Sequence, residues 1–382
     1  MSLPINPYSI NLVSITADDV QGDSLSRTLN FAHYLMSADG RYVLFMTLAD
    51  NFAGPGNDTN GSQDVYLKDM RTGGLTLISG VDGHTGNGVS LTGSLTANAQ
   101  FALVYGTASD LLGPGADTNG NADVFLINLT TGSKTLVSAV TDSAGNVIAQ
   151  GDFDSFGGMV TPDGKLVAFD SFADNLVPGD SSSLVDGFRD VFVKNMVTGQ
   201  ITLVSGTTDA NGNTVFGDGD SDAGIVSDDG RYVNFQSLAG NLVVGDNNGA
   251  EDVFIKDLVT GKIELISKSI NGGSANADSF NLQMTGDAKF LVYNTNATDI
   301  VTVDNNHPNG PGDVIWYNRL TGETKLVSAA ADGTPGDDFS GNAVISADGR
   351  YVAFDSLADN LVAGDTNGDV DVFVKDMWTG AI

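Results

Sequence analysis

Four stretches of the chain carry one oxygen-rich pattern, Asp-x-Asn-Gly-x-x-Asp: Asp58, Asn60 and Asp64; Asp117, Asn119 and Asp123; Asp246, Asn248 and Asp252; Asp365, Asn367 and Asp371. Side-chain oxygens at alternate positions, with a glycine permitting a sharp bend, are what a hard cation such as Ca2+ needs. Each loop offers three side-chain oxygens and a backbone carbonyl, short of the roughly six to eight ligands calcium takes, and has no bidentate Glu. Waters or neighbouring loops would complete the shell. The same residue types also have a purely structural use, in which Asp and Asn make Asx-turns and the last Asp grips the loop before a strand. The sequence leaves both readings open. Two further versions of the loop are altered: Asp180, Asp186-Gly187 and Asp190; then Asp304-Asn305-Asn306, Asn309-Gly310 and Asp313.

A second acidic set lies at Asp152 and Asp154, Asp218 and Asp220, Asp278, and Asp337-Asp338, each shortly before a serine. Such carboxylates could ring a channel mouth and hold a cation or a basic ligand, or merely edge a solvated loop. Catalytic sets are harder to find. Carboxylate pairs abound, but no repeat carries its own Ser/His/Asp or Glu/Glu combination, and Glu251, Glu264 and Glu323 are the only glutamates. The absence of cysteine removes disulfide, thiolate and cysteine-ligated zinc chemistry. Trp316 sits where other repeats have an apolar strand residue and Trp378 lies in a tight turn, so a paired aromatic platform for sugars is not evident. Phe153, Phe156, Phe216 and Phe280 are expected to pack within long loops.

The elements that position these residues recur. A turn precedes a hydrophobic strand at Asp39-Gly40, Asn98-Ala99, Asp163-Gly164, Asp229-Gly230, Asp287-Ala288 and Asp348-Gly349. An Asp-Val pair opens the next strand at Asp64, Asp123, Asp190, Asp252, Asp313 and Asp371, and Thr-Gly follows at Thr72, Thr131, Thr198, Thr260, Thr321 and Thr379. Between these landmarks lie short runs rich in Val, Phe, Tyr and Ile and bounded by Gly, Asp and Asn, which read as strands. The sixth copy gives Asn342 to Ser346, Tyr351 to Ser356 and Asp371 to Asp376, and a fourth strand follows Thr-Gly, as at Ile201 to Ser205. Tyr351-Val352-Ala353-Phe354 is apolar on both faces, as in a sheet sandwiched between two neighbours. No helical periodicity is sustained. The expected fold is all-β, a six-bladed β-propeller of four-stranded antiparallel blades, with residues 1–382 as one domain.

Counting suggests how the ring would close. Leu-Ile/Val-Ser recurs at Leu77, Leu136, Leu203, Leu265 and Leu326, and the sixth copy stands at the other end as Ile10-Asn11-Leu12-Val13-Ser14. Strand 10–14 is therefore expected to complete the last blade, 340–382, hiding two sheet edges. The Asp-Val to Thr interval is 8 residues in every copy, whereas the other intervals vary. All the length variation falls on connections at one end of the strands, where function is usually carried. Ala99 and Ala288, standing where a left-handed Gly is expected, predict looser or strained turns.

Ser-Ala-Asp-Gly-Arg-Tyr-Val-Ala-Phe at 346–354, Ser-Ala-Asp-Gly-Arg-Tyr-Val-Leu-Phe at 37–45 and Gly-Asp-Thr-Asn-Gly…Asp-Val-Phe-Val-Lys-Asp at 364–376 carry a resemblance. The unit resembles the TolB-type, WD-like propeller repeat, in the long-loop variety of large secreted bacterial proteins. That resemblance covers essentially the whole chain and implies the fold, while such propellers serve as scaffolds, partner platforms and enzyme gatekeepers. The family also contains sugar-acid lyases with a histidine-built metal site. His33, His84 and His307 fall at unrelated repeat positions, so that site does not carry over.

The net charge of −31 repels phosphate backbones and anionic headgroups and attracts cations and basic surfaces. Nucleic acid is not an expected partner. No stretch is long and apolar enough for membrane insertion, and the first residues, Met1-Ser2-Leu3-Pro4, do not read as a signal peptide. The expected function is a non-catalytic, monomeric module, secreted or displayed at the cell surface, with the periplasm as a further location. Its acidic loop side would bind a protein, a small ligand or Ca2+. The alternative is a metal-dependent hydrolase or lyase on sugars or lactones at a central channel mouth, which would show one convergent cluster of non-repeating polar residues.

Overall fold

The computed structural model describes residues 12–28, 35–180, 187–302 and 312–382, and every regular element among them is a β-strand. Five four-stranded sheets and one three-stranded sheet follow one another along the chain, each antiparallel with consecutive strands as neighbours. The first comprises Ser26–Arg27, Tyr42–Thr47, Asp64–Asp69 and Leu75–Leu77, the second Ser90–Leu95, Phe101–Gly106, Asp123–Asn128 and Lys134–Leu136, and the third Ser155–Val160, Leu166–Ser171, Asp190–Asn195 and Ile201–Leu203. The fourth comprises Ser221–Val226, Tyr232–Ser237, Asp252–Asp257 and Ile263–Leu265, the fifth Ser279–Met284, Phe290–Thr295, Asp313–Asn318 and Glu323–Leu326, and the sixth Ser340–Ile345, Tyr351–Ser356 and Asp371–Asp376.

By contacts the chain forms two units, Met1–Gly187 with Phe192–Thr202, and Phe188–Val191 with Leu203–Ile382. Within each, neighbouring sheets bury apolar side chains between them. Leu44, Met46 and Val65 of the first sheet pack with Leu95, Val104 and Ile127 of the second. In the second unit, Val292, Val314 and Trp316 pack with Val352, Phe354 and Phe373. Stacked ring pairs recur across the second and third strands, as in Phe169–Phe192, Phe235–Phe254 and Phe354–Phe373. Trp316 is buried, stacked on Phe290, and donates Nε1–H to the Gly349 carbonyl at 2.9 Å, while Trp378 is exposed beneath Arg350.

The turns follow their residues. Every Thr-Gly glycine among the six has φ between 73° and 79°, the left-handed region that costs glycine nothing. Ala99 and Ala288 adopt φ of 52° and 54° at the other tight turn, so the strained form of that turn is the one present. The fourth strands are shorter than the pattern suggested: Ile201–Leu203 ends before Val204-Ser205. Those two residues leave the strand because the serine hydroxyl is used elsewhere, as described below. The first strand of the last sheet starts at Ser340, not Asn342, since Ser340 and Ser356 hydroxyls bond each other at 2.9 Å. Three small hairpins in the connections between sheets had not been anticipated: Gly80–Val81 with His84–Thr85, Ala139–Thr141 with Val147–Gln150, and Gly206–Thr208 with Thr214–Phe216.

Of the predicted closing strand, Ile10 and Asn11 lie outside the described residues. Leu12, Val13 and Ser14 belong to no strand, and Ile15 makes a single bridge to Gln21.

Candidate functional site

Each Asp-x-Asn-Gly-x-x-Asp loop is closed by its own hydrogen bonds. Asn119 Oδ1 accepts the Asn121 N–H at 2.9 Å, forming the Asx-turn, and its Nδ2 donates to Asp123 Oδ2 at 2.8 Å and to the Gly151 carbonyl at 2.9 Å. Asn248 repeats this with Ala250, Asp252 and the Ala275 carbonyl. Asn367 bonds Asp369 N and Asp371 Oδ2. In the first loop Asn60 accepts from Ser62 N and donates to the Gly86 carbonyl. The asparagine thus ties the loop to the connection leading into the next sheet.

The last aspartate of the loop is clasped from the other side. Its Oδ1 accepts a serine hydroxyl from the end of the fourth strand: Asp64 from Ser79 at 2.9 Å, Asp123 from Ser138 at 2.5 Å, Asp190 from Ser205 at 2.5 Å, Asp252 from Ser267 at 2.5 Å and Asp313 from Ser328 at 2.6 Å. The same serine oxygen accepts the next backbone N–H, that of Val65, Val124, Val191, Val253 or Val314.

These carboxyls are held in a costly environment. Burial, partly offset by the serine, pushes Asp64 and Asp252 up to about 7 and Asp123 to about 6, because an ion loses its hydration there. Burial likewise raises Asp117 and Asp246. Asp64 Oδ2 and Asp117 Oδ1 are closed off from solvent without a hydrogen-bond partner. The charges of Asp58, Asp117 and Asp246 act on Asp64, Asp123 and Asp252 in the same direction, yet no group of three or more His, Asp or Glu side chains arranged for a metal occurs among the described residues. In the altered loops Asp186, Asp304, Asn305, Asn306, Asn309 and Gly310 lie outside the described residues.

Most carboxylates of the second acidic set cap backbone. Asp154 Oδ1 accepts Ala122 N–H at 2.7 Å, Asp220 accepts Arg189 N–H at 2.8 Å and Asp278 accepts Glu251 N–H at 3.0 Å. Each thereby holds the residue just before an Asp-Val strand. Phe156 packs edge-on between Tyr105 and Phe172, but from strand Ser155–Val160 rather than from a loop, whereas Phe153 is exposed.

Charge is divided unevenly. The long connections carry most of the acids and, as bases, only Arg189 and Lys268, while Arg41, Arg71, Lys165, Arg231, Lys262, Lys289, Arg319 and Arg350 all sit at tight turns. Several of these are locally neutralised, as in the Arg41–Asp69, Arg231–Asp257 and Arg350–Asp376 pairs.

Two sets of residues escaped the sequence reading. Lysines at the fifth position of third strands donate to carbonyls at the end of the preceding sheet: Lys194 to Leu136 and Ala139, Lys256 to Leu203, Val204 and Gly206, and Lys375 to Ala329 and Ala330. The other set lies around Asp222 and Asn234. Its signal was polar residues at repeat positions that are otherwise apolar.

With the geometry in view, comparison with known proteins agrees on the fold. No family model and no curated protein matches the chain. Among solved structures, the prolyl endopeptidases of a structural and mechanistic study share 14% identity at a TM-score of 0.52, over 94% of this chain and 42% of theirs. TolB from Agrobacterium tumefaciens shares 15% at 0.42, over 80% and 82%. TolB from Acinetobacter baumannii shares 12% at 0.41, and this chain spans 58% of its length. The protein has a propeller fold. None of these similarities assigns an activity.

Proposed function

We propose that the chain is one six-bladed propeller acting as a non-catalytic, exported or surface-displayed binding module. Its long acidic connections would receive a cationic partner, protein or small ligand, and its four regular loops would hold Ca2+. The observation that carries this reading is the segregation of charge, with almost every basic side chain kept out of the long connections. The unpartnered oxygens of Asp64 and Asp117 support the cation. Two carboxyls, an Asn oxygen and loop carbonyls make a weak site, of the class that saturates at extracellular calcium levels. The test is thermal melting in millimolar Ca2+, with and without chelator. A rise that chelator reverses and that Asp117→Asn with Asp58→Asn diminishes is expected; no rise overturns the cation reading.

Ring closure by residues 10–14 draws support from each unit separately. In the last sheet Val372 and Val374 are 74% and 52% exposed, whereas the valines at the position of Val372 in the other five sheets are 0% exposed. The last strand of that sheet presents an uncovered apolar edge. At the other end, Lys68 donates to the Ile15 carbonyl, as Lys194 does to Ala139, which supports reading Leu12-Val13-Ser14-Ile15 as the counterpart of a fourth-strand end. Deleting residues 1–14 should abolish cooperative unfolding or cause aggregation, and an unchanged melt would rule closure out.

A further inference from the structure

One group of polar residues in the second unit is not explained by the repeat. Asp222 stands where other copies have Leu91, Phe156 or Phe280, and Asn234 where they have Leu44, Leu103 or Val292. Asn234 is wholly buried. Its Oδ1 accepts the Ile225 N–H at 3.2 Å, but its Nδ2 has no partner, a deficit that a closed core penalises. Gln236, two residues on, projects from the same face of the strand and pairs in register with Asp222, beside a bulge between Asp222 and Ile225. Bulges re-aim side chains and are common beside sites.

The surroundings narrow what could complete this group. Asp222 Oδ2 is ion-paired to Arg189 Nη2, while Asp222 Oδ1 is closed off without a hydrogen bond. Gln236 Oε1 is fixed by the Asn281 N–H at 3.1 Å, from a residue in the left-handed region at φ 53°. Asp220, Glu251 and Asp278 lie around the same residues. An anion would meet these carboxylates. An ammonium could not accept a hydrogen bond from Asn234 Nδ2. A hydroxyl can do both things required, donating to a carboxylate such as Asp222 and accepting from an amide such as Asn234 Nδ2. The side chains of Arg189 and Asp222 are 28% and 22% exposed, so that end of the group is within reach of solvent.

We infer that Asp222, Asn234 and Gln236, with Arg189 at the rim, form a binding site for one neutral hydroxyl-rich unit, a sugar or polyol. The site needs no metal and uses none of the loop aspartates proposed to hold Ca2+. Saturation-transfer NMR and calorimetry with the methyl glycosides of glucose, galactose and mannose, and with myo-inositol, test it. At least one probe is expected to bind in the millimolar range. Asn234→Leu should weaken that binding at least tenfold while melting at or above the parent temperature, since leucine is the residue other copies carry there. Asp222→Asn, which keeps the shape, should weaken it similarly, and both variants should keep the Ca2+ response of the parent. No binding by any probe, the result if the site holds only water, overturns the inference, as does binding that neither substitution changes.

Discussion

Consider Lys256→Met. The ammonium donates to the carbonyls of Leu203, Val204 and Gly206 at 2.9, 3.1 and 2.6 Å, and burial lowers its pKa from the usual 10.5 to about 8. Methionine keeps the stem and removes all three donors. Three buried carbonyls left unmade cost roughly 3–6 kcal/mol. Against this, a lowering of about 2.5 pH units means that burying the ion itself costs about 3 kcal/mol. At pH 7 the two effects largely offset, and a net loss of about 0–3 kcal/mol is expected.

The sign with pH separates them. The folded pKa lies below the unfolded one, so between about pH 8 and 10.5 the unfolded chain binds more protons and stability rises with pH. The penalty is fully present below pH 8 and is relieved toward 10.5. Burial is the only influence moving Lys256, so the methionine variant should lack that share of the rise and the gap between the proteins should widen. Urea unfolding at pH 7 and pH 10 measures it. Equal pH slopes in the two proteins would refute the argument that a buried ion sits there.

Ser138→Ala should cost about 2–4 kcal/mol in the same assay, because it strands the Val124 N–H and an Asp123 carboxyl, both buried; a loss below 1 kcal/mol would mean the clasp is dispensable. Ala99→Gly should stabilise by about 1 kcal/mol, by relieving a left-handed alanine at φ 52°, seen as a higher urea midpoint.

Landmarks set by local chemistry were legible in the sequence. Tyr351–Ser356 and Asp371–Asp376 stand where alternation and turn residues put them, and the strain at Ala99 followed from a missing glycine. The small hairpins were announced by Asp82-Gly83 and Asn211-Gly212, yet their strands are too short to show a period. Features that depend on a neighbouring sheet were not legible. Lys256 reads as an exposed cation until Leu203, Val204 and Gly206 are brought beside it. Asp220 reads as a free carboxylate until the Arg189 N–H is found on it. For the loops, the spacing of Asp117, Asn119 and Asp123 indicated oxygens gathered at a bend, but only the structure shows that the asparagine is already engaged on three sides.

The lysines that reach back have a bearing on how such an array can be cut and rejoined. Lys194 fastens not its own sheet but the end of the one before it, and Lys256 and Lys375 do the same. Where the second sheet has Ile127 at that position, Lys134 reaches the Gly80 carbonyl instead. A transplanted repeat therefore brings a fastener for its upstream neighbour and leaves its own tail to be fastened by whatever follows. The interchangeable part is bounded inside the sheets, from one third strand to the next, and chimaeras joined there should tolerate exchange better than those joined at the sheet boundaries.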